Sequence, residues 1–312
     1  MTIKKGKQPH RHDWLSLIRR SGLLVTEPVL CETFPNGPEK ISQYIYRNTL
    51  NERQRWLADP GAARRFANWK NFILRDLLEL PQQKIRRTQE LPPELNVYLI
   101  DYDQSISPNS VLYDNDDNPV LGIWTTNHEQ DLDRVEKTKG KWRTTPDAKA
   151  VRWMRETGVS FVLLTNGSIF RILHTPPGLP EVSIDFDSSE WEEEKQFVDA
   201  FTTLLKQERW FGKPFLSDLA ASSRHRQTEL NDQLGKQVRE ATEKLILALD
   251  TEDFRLKNEL LKGLDTEDIY RAVVYFIMRI VFILFAEEWS LLPHGNVFGS
   301  SEICVHSLSV QV

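Results

Sequence analysis

The sequence predicts a mixed α/β domain set between helical segments, and three observations predict it. Over roughly the first 80 residues apolar side chains recur three and four positions apart, the period of a helix with one buried face. Between residues 96 and 173 the pattern changes to short β-branched or aromatic runs bounded by turn residues. Beyond residue 186 the helical period returns.

Taken in order, Asp13 can cap a short amphipathic turn carrying Trp14, Leu17 and Ile18 that stops at Gly22. Pro38 opens a longer helix with Ile41, Tyr44, Ile45 and Leu50 near one face, and Pro60 ends it. A third helix covers residues 62–80, with Phe66, Trp69, Ile73, Leu77 and Leu80 on one side. Pro81, Pro92 and Pro93 then break the chain. Strands are predicted over 96–102, 110–114 and 120–126, the last two joined by the turn residues 115–119. Pro146 and Asp147 start a helix that ends at Gly158. Residues 160–164 and 168–173 read as a hairpin closed by Asn166-Gly167, a turn expected to need positive φ at both residues. An acidic, Pro-rich linker occupies 176–194. Helices follow through Phe197–Leu205, from about Phe215 to Leu249 and from about Thr266 to Leu291, with a corner at Trp210-Phe211-Gly212. The last is apolar round most of its circumference, which implies burial by more than one neighbour. The expected domains are therefore a helical region 1–60, an α/β domain 61–185 and a helical domain 186–312.

Composition restricts the function classes. Charged residues make up 27% and hydrophobic residues 40% of 312, ordinary values for a globular chain. A net charge of -5 argues against wholesale coating by nucleic acid but leaves room for a local basic face. Cys31 and Cys304 stand far apart without a CxxC or Cys/His cluster, which fits a reducing, cytoplasmic setting better than a zinc site or disulfide. No apolar segment follows the basic N-terminus, so no secretory signal is read there. The most apolar stretch, 272–286, contains Arg279 and falls short of the roughly 20 residues a membrane span needs.

A helix, three strands, a helix and a further strand is also the order of the PD-(D/E)XK restriction-endonuclease core. The expected fold is thus an α+β or α/β restriction-endonuclease-like domain, preceded by helices and followed by an all-α domain. That core holds Mg²⁺ between an Asp at the start of its second strand and a Glu-x-Lys along its third, and the Lys orients the attacking water. Here Asn109 stands at the first position, and the third strand offers Trp124 and Thr126 where an acid and a lysine belong. No catalytic residue is expected in this chain. Asp114, Asp116 and Asp117 form the one nearby carboxylate group, a solvated turn or else a displaced Mg²⁺ site. Asp76 and Glu79, one turn apart on the third helix, read as surface or salt-bridge residues. His10, His12, His174, His225, His294 and His306 lack the neighbours that a metal or nucleophile motif would give them.

From 134 to 156 basic residues dominate: Arg134, Lys137, Lys139, Lys141, Arg143, Lys149, Arg152 and Arg155 against Glu136, Asp147 and Glu156. Such a run is often a solvated face, but it follows the strand at which a nuclease fold meets DNA. Arg134, Lys137, Lys139, Lys141, Arg143, Lys149 and Arg152 are therefore the expected phosphate contacts.

Longer stretches carry a family resemblance. They are Ser107-Pro108-Asn109-Ser110-Val111-Leu112, Gln130-Asp131-Leu132-Asp133, Leu164-Thr165-Asn166-Gly167 with Phe170-Arg171, Trp210-Phe211-Gly212, the residues from Asp232 to Arg239, and Arg279 to Glu288 with Leu291-Leu292-Pro293. In order and spacing these resemble the N-terminal region of large adenine-specific DNA methylases of type IIG restriction–modification and DISARM-type phage-defence systems, from about Trp14 to Leu308. The resemblance implies a DNA-interaction or scaffold region, with DNA, a methylase domain or subunit and other defence proteins as partners, and no membrane. S-adenosylmethionine is implied only for the full-length protein. The Asn-Pro-Pro-(Tyr/Phe) motif that holds a flipped adenine and a Gly-rich cofactor turn are absent here, and the family places both downstream of the Ala-Glu-(Asp/Glu) helix. Two other readings stand beside this one: a metal-dependent nuclease with displaced carboxylates, and a protein–protein adaptor that never meets DNA.

Overall fold

The computed structural model describes residues 18–136, 142–213 and 215–288. Trp14, Leu17, His10, His12, Lys137, Lys139, Lys141, His294, His306 and Cys304 lie outside them. The chain divides into two compact units, 1–225 and 226–312.

The first unit is built on strands β1 (Arg19–Ser21), β2 (Ile85–Arg87), β3 (Val97–Leu99), β4 (Gln104–Ile106), β5 (Ser110–Tyr113), β6 (Pro119–Thr125), β7 (Phe161–Thr165), β8 (Ile169–His174) and β9 (Val182–Asp187). Seven of these form one mixed sheet in the order β1-β9-β8-β7-β6-β5-β2, while β3 and β4 pair by themselves. Helices α1 (Glu27–Thr33), α2 (Gln43–Leu57), α3 (Ala63–Phe72), α4 (Pro146–Thr157), α5 (Lys195–Leu205) and α6 (Glu208–Phe211) belong to this unit, and α7 (Leu216–Arg255) begins in it. Only β6 and β7 run parallel, joined by α4; every other neighbouring pair is antiparallel.

Side chains alternate across the sheet and fill two cores. Leu112, Ile123, Leu163, Phe170, Ile172, Ile184 and Phe186 point to one face, where Trp56, Trp69, Trp191 and Phe201 from the helices meet them. Val111, Trp124, Val162, Leu164 and Leu173 point to the other, against Ala150, Trp153 and Met154 of α4 and the β3–β4 ribbon. The result is a three-layer arrangement with β7 buried along its whole length, as expected of a strand covered on both faces.

Local chemistry sets the helix ends. Ser42 accepts the Ile45 N–H at 3.2 Å to start α2, and Thr145 accepts that of Ala148 at 3.0 Å to start α4. Pro146 occupies the first turn of α4, and Gly158, at φ 75°, ends it. After Phe72, α3 widens into a π-turn over Ile73–Leu77, in which the Leu78 N–H reaches Ile73 O at 2.8 Å.

Several sequence expectations are corrected. Residues 97–99 leave the main sheet for the β3–β4 ribbon, and the first strand of the meander is the three-residue β2. The acidic linker contains β9, whose Ile184 and Phe186 face the core while Asp185 and Asp187 face away. Ser21 closes β1, a strand where a helical turn was expected. The α1 helix was not anticipated, although Glu27 and Pro28 suit a first turn. At the β7–β8 connection only Gly167 has positive φ, 94°. The loop has three residues, and Asn166 caps it by accepting the Ser168 and Ile169 N–H groups at 3.0 and 2.9 Å. The domain boundary also moves. Val198, Phe201, Leu205, Trp210, Leu216 and Leu219 are buried in the same core as the sheet, so 186–225 completes the α/β unit.

The second unit holds the rest of α7 and α8 (Thr266–Glu288). Asp253 ends α7 by accepting the Leu260 and Leu261 N–H groups at 2.8 and 2.9 Å. Val273 and Ala286 of α8 are buried, but Tyr275, Phe276, Met278 and Phe282 are more than half exposed. Among the described residues of this unit, the expected burial of α8 from several sides is thus not met. No helix among the described residues is long and apolar enough to cross a membrane.

Candidate nucleic-acid interface

Because β6 and β7 are parallel, their carboxyl ends, Thr125 and Thr165, emerge at one edge of the sheet, together with the start of β5 and the end of β2. Ligand clefts of open α/β sheets lie outside such carboxyl ends. Asn109 binds this edge together. Its N–H donates to Ile123 O at 3.0 Å, its carbonyl accepts the Thr88 N–H at 3.1 Å, and its side-chain Oδ1 accepts the Thr125 N–H at 2.6 Å. Trp124 turns to the α4 face and meets Trp153 edge-on at 6.4 Å. Gly122 makes room there, since a Cβ would come within 2.8 Å of the Trp153 ring. The Thr126 N–H continues the parallel ladder to Thr165 O at 2.9 Å. Asn109, Trp124 and Thr126 are thus committed to backbone and core. With no carboxylate among them, they do not fit Mg²⁺, and a metal-dependent cleavage cannot run through them.

Asp114, Asp116 and Asp117 lie at the opposite end of β5. Asp114 Oδ1 accepts the Asp116 and Asn118 N–H groups at 2.9 and 2.8 Å. Burial works to raise its pKa, but the hydrogen bonds from Asn118 and Asp116 outweigh it and hold the carboxyl below its usual range. Asp117, at φ 65°, pairs with Arg86 at 2.6 Å. This is a turn built on its own carboxylates. Among the described residues no three His, Cys, Asp or Glu side chains gather as a metal ion would require. Asp76 pairs with Arg75 at 2.9 Å and Glu79 with Lys206 at 3.3 Å.

The basic segment separates into unlike parts. Arg134 and Arg143 are exposed, the former 3.3 Å from Asp131. Arg152 is exposed on α4 and pairs with Glu156 one turn on at 2.7 Å. Lys149 does not belong to the basic face. It is 7% exposed and paired with Glu136, so its charge is spent inside the fold.

Sequence reasoning missed what holds this segment in place. Arg171 on β8 is buried, with Nε and Nη2 each 2.7 Å from Asp185 on β9. Its Nη1 and Nη2 meet Asp133 at 2.5 and 3.0 Å, and Nη1 also meets Asp147 at 2.9 Å. Hydrogen bonds from Arg171 hold Asp133 below the usual carboxylate range. Burial raises Asp147 above it in spite of the same guanidinium. One cation therefore ties both ends of the 134–146 segment to the sheet. The Glu136 N–H reaches Thr144 O at 3.0 Å and joins the two limbs, and Trp142 stacks at 5.3 Å on Tyr102, which lies between β3 and β4. The available signal was an arginine inside an otherwise apolar strand, which must find a carboxylate.

No protein-family model, curated protein or solved structure matches the chain.

Proposed function

We propose that this chain is a non-catalytic DNA-interaction and scaffold region of an adenine-specific DNA methyltransferase in a restriction–modification or phage-defence system. The fold order supports its restriction-endonuclease-like part: helix α3, the antiparallel meander β2-β5-β6, helix α4, then β7 parallel to β6. The observation that carries the reading is the carboxyl edge of β6 and β7. Exposed Arg134 and Arg143 lie on the connection that leaves β6 for α4, and none of Asn109, Trp124 and Thr126 can carry the negative charge that a cutting metal needs. A nuclease edge stripped of carboxylates but bordered by cations can still hold a phosphate backbone. The exposed apolar residues of α8 supply a surface through which a methylase domain could join the module.

The test is to incubate the chain with supercoiled plasmid in Mg²⁺ or Mn²⁺ and to measure duplex binding at low salt in parallel. Binding without cleavage is expected, and binding should weaken when Lys139, Lys141 and Arg143 are replaced by Ala. Cleavage would point to the nuclease reading, and absence of binding to the adaptor.

A further inference from the structure

We propose that the niche formed by Lys70, Arg87, Ser110 and Thr125 on the α3 face of the sheet is a binding site for one backbone phosphate of duplex DNA. The proposal rests on the nucleic-acid reading above and places a specific contact within it.

Strand register and alternation bring these residues to one side. Arg87 lies opposite Ser110, and Ser110 opposite Ile123. Ile123 faces the core packed by α3, so Ser110, Arg87 and Thr125, which share its side of the pleat, face α3 as well. Lys70 follows Trp69, which is buried in that core and donates to Gly167 O at 2.9 Å, so α3 approaches this same edge.

The niche brings together two cations and two hydroxyls, and the Glu90 carboxylate beside it accepts the Arg87 backbone N–H at 2.8 Å. Among the described residues, neither the Lys70 ammonium nor the Arg87 guanidinium has a carboxylate within ion-pair reach. Ser110 is 8% exposed, and its hydroxyl has no hydrogen-bond partner among the described residues; nor has that of Thr125. Burial, with the charge of Arg87 added, lowers the Lys70 pKa. Two neighbouring cations, one of them partly desolvated, with two idle hydroxyls beside them, form an arrangement that an anionic oxygen relieves. A phosphodiester, with two such oxygens, can accept from both cations and from a hydroxyl.

Lys70→Met and Arg87→Gln are made singly in the whole chain, and duplex binding is followed across a salt series. Each should weaken binding at low salt by several-fold and reduce the steepness of log K against log salt by about 0.9, the loss of one phosphate contact. Lys70→Met should also leave the melting temperature unchanged or higher, because it removes a half-buried, unpaired charge, whereas a merely structural lysine would lower it. If Lys70→Met fails to fold, Arg87→Gln at the exposed end of an edge strand carries the test alone. If the parent chain binds duplex and the folded variants keep its slope, the niche is not a phosphate site and the proposed function stands. If the parent chain binds no duplex, the proposed function falls and the niche assignment falls with it.

Discussion

Arg171 on β8 grips both carboxylate oxygens of Asp133, at 2.5 and 3.0 Å, across 38 residues of chain. The pair matters because Asp133 opens the basic segment to which we assign DNA contact as a proposal, and Asp147, on the same guanidinium, closes it. Replacing Arg171 by Met strands Asp147 and Asp185, both largely buried, without a counter-charge. We expect a loss of about 3–5 kcal/mol in urea unfolding, the usual cost of removing one partner of a buried ion pair. Asp147→Asn should cost less than about 1 kcal/mol, because burial already opposes its charge. Equal losses from the two variants would refute this account of the cluster.

Gly167 sits at φ 94°, and a Cβ there would come within 2.7 Å of both Phe66 and Trp56. Gly167→Ala should destabilise by about 2–4 kcal/mol, combining a left-handed backbone with overpacking. Gly158 has a similar φ of 75° but open space around it. Gly158→Ala should therefore cost only about 1–2 kcal/mol. Thermal unfolding of the two variants side by side separates crowding from backbone strain.

His174 is buried, stacked on Phe161 at 4.4 Å, with Nδ1 2.9 Å from Ser160 O and Nε2 3.5 Å from Arg224. Burial lowers its pKa below 6.5, the Ser160 contact opposes that, and the charge of Arg224 adds to it. The unfolded chain thus binds a proton that the folded chain refuses. The stability His174 contributes is fully present above about pH 6.5 and falls away as pH drops through the lower folded value. Chemical denaturation at a series of pH values should show this loss, and His174→Phe should flatten it. An unchanged slope in the variant would assign the effect to another group.

How far the sequence could be read depended on how local each cause was. Helix α4 was legible because Thr145, Pro146 and Gly158 cap it with their own chemistry. The β7–β8 hairpin was legible from Asn166-Gly167 between apolar runs, although Asn166 works through its side chain and not through a positive φ. Strands β1 and β2 were not legible: with three residues each, they owe their form to the partners β9 and β5. In β9 the core residues Ile184 and Phe186 are interleaved with Asp185 and Asp187, which gave it the look of a polar linker. The role of α5 was hidden for a different reason. Its amphipathic face was plain, but nothing in its own residues says which core it covers. At the candidate interface the sequence named Asn109, Trp124 and Thr126, but not the backbone and core contacts that occupy them. The Arg171 clamp and the Lys70–Arg87 niche were not legible, since both join residues from separate elements.

The salt dependence of duplex binding by the whole chain in the presence of Mg²⁺ separates a module that holds DNA from a nuclease and from an adaptor that never meets it. Lys70, Arg87, Arg134 and Arg143 offer four phosphate contacts among the described residues, and Lys139 and Lys141 would add two, which sets an expected slope of log K against log salt of about −5, with the duplex recovered intact. A flat line, or no binding at low salt, would contradict the account, as would a cleaved duplex.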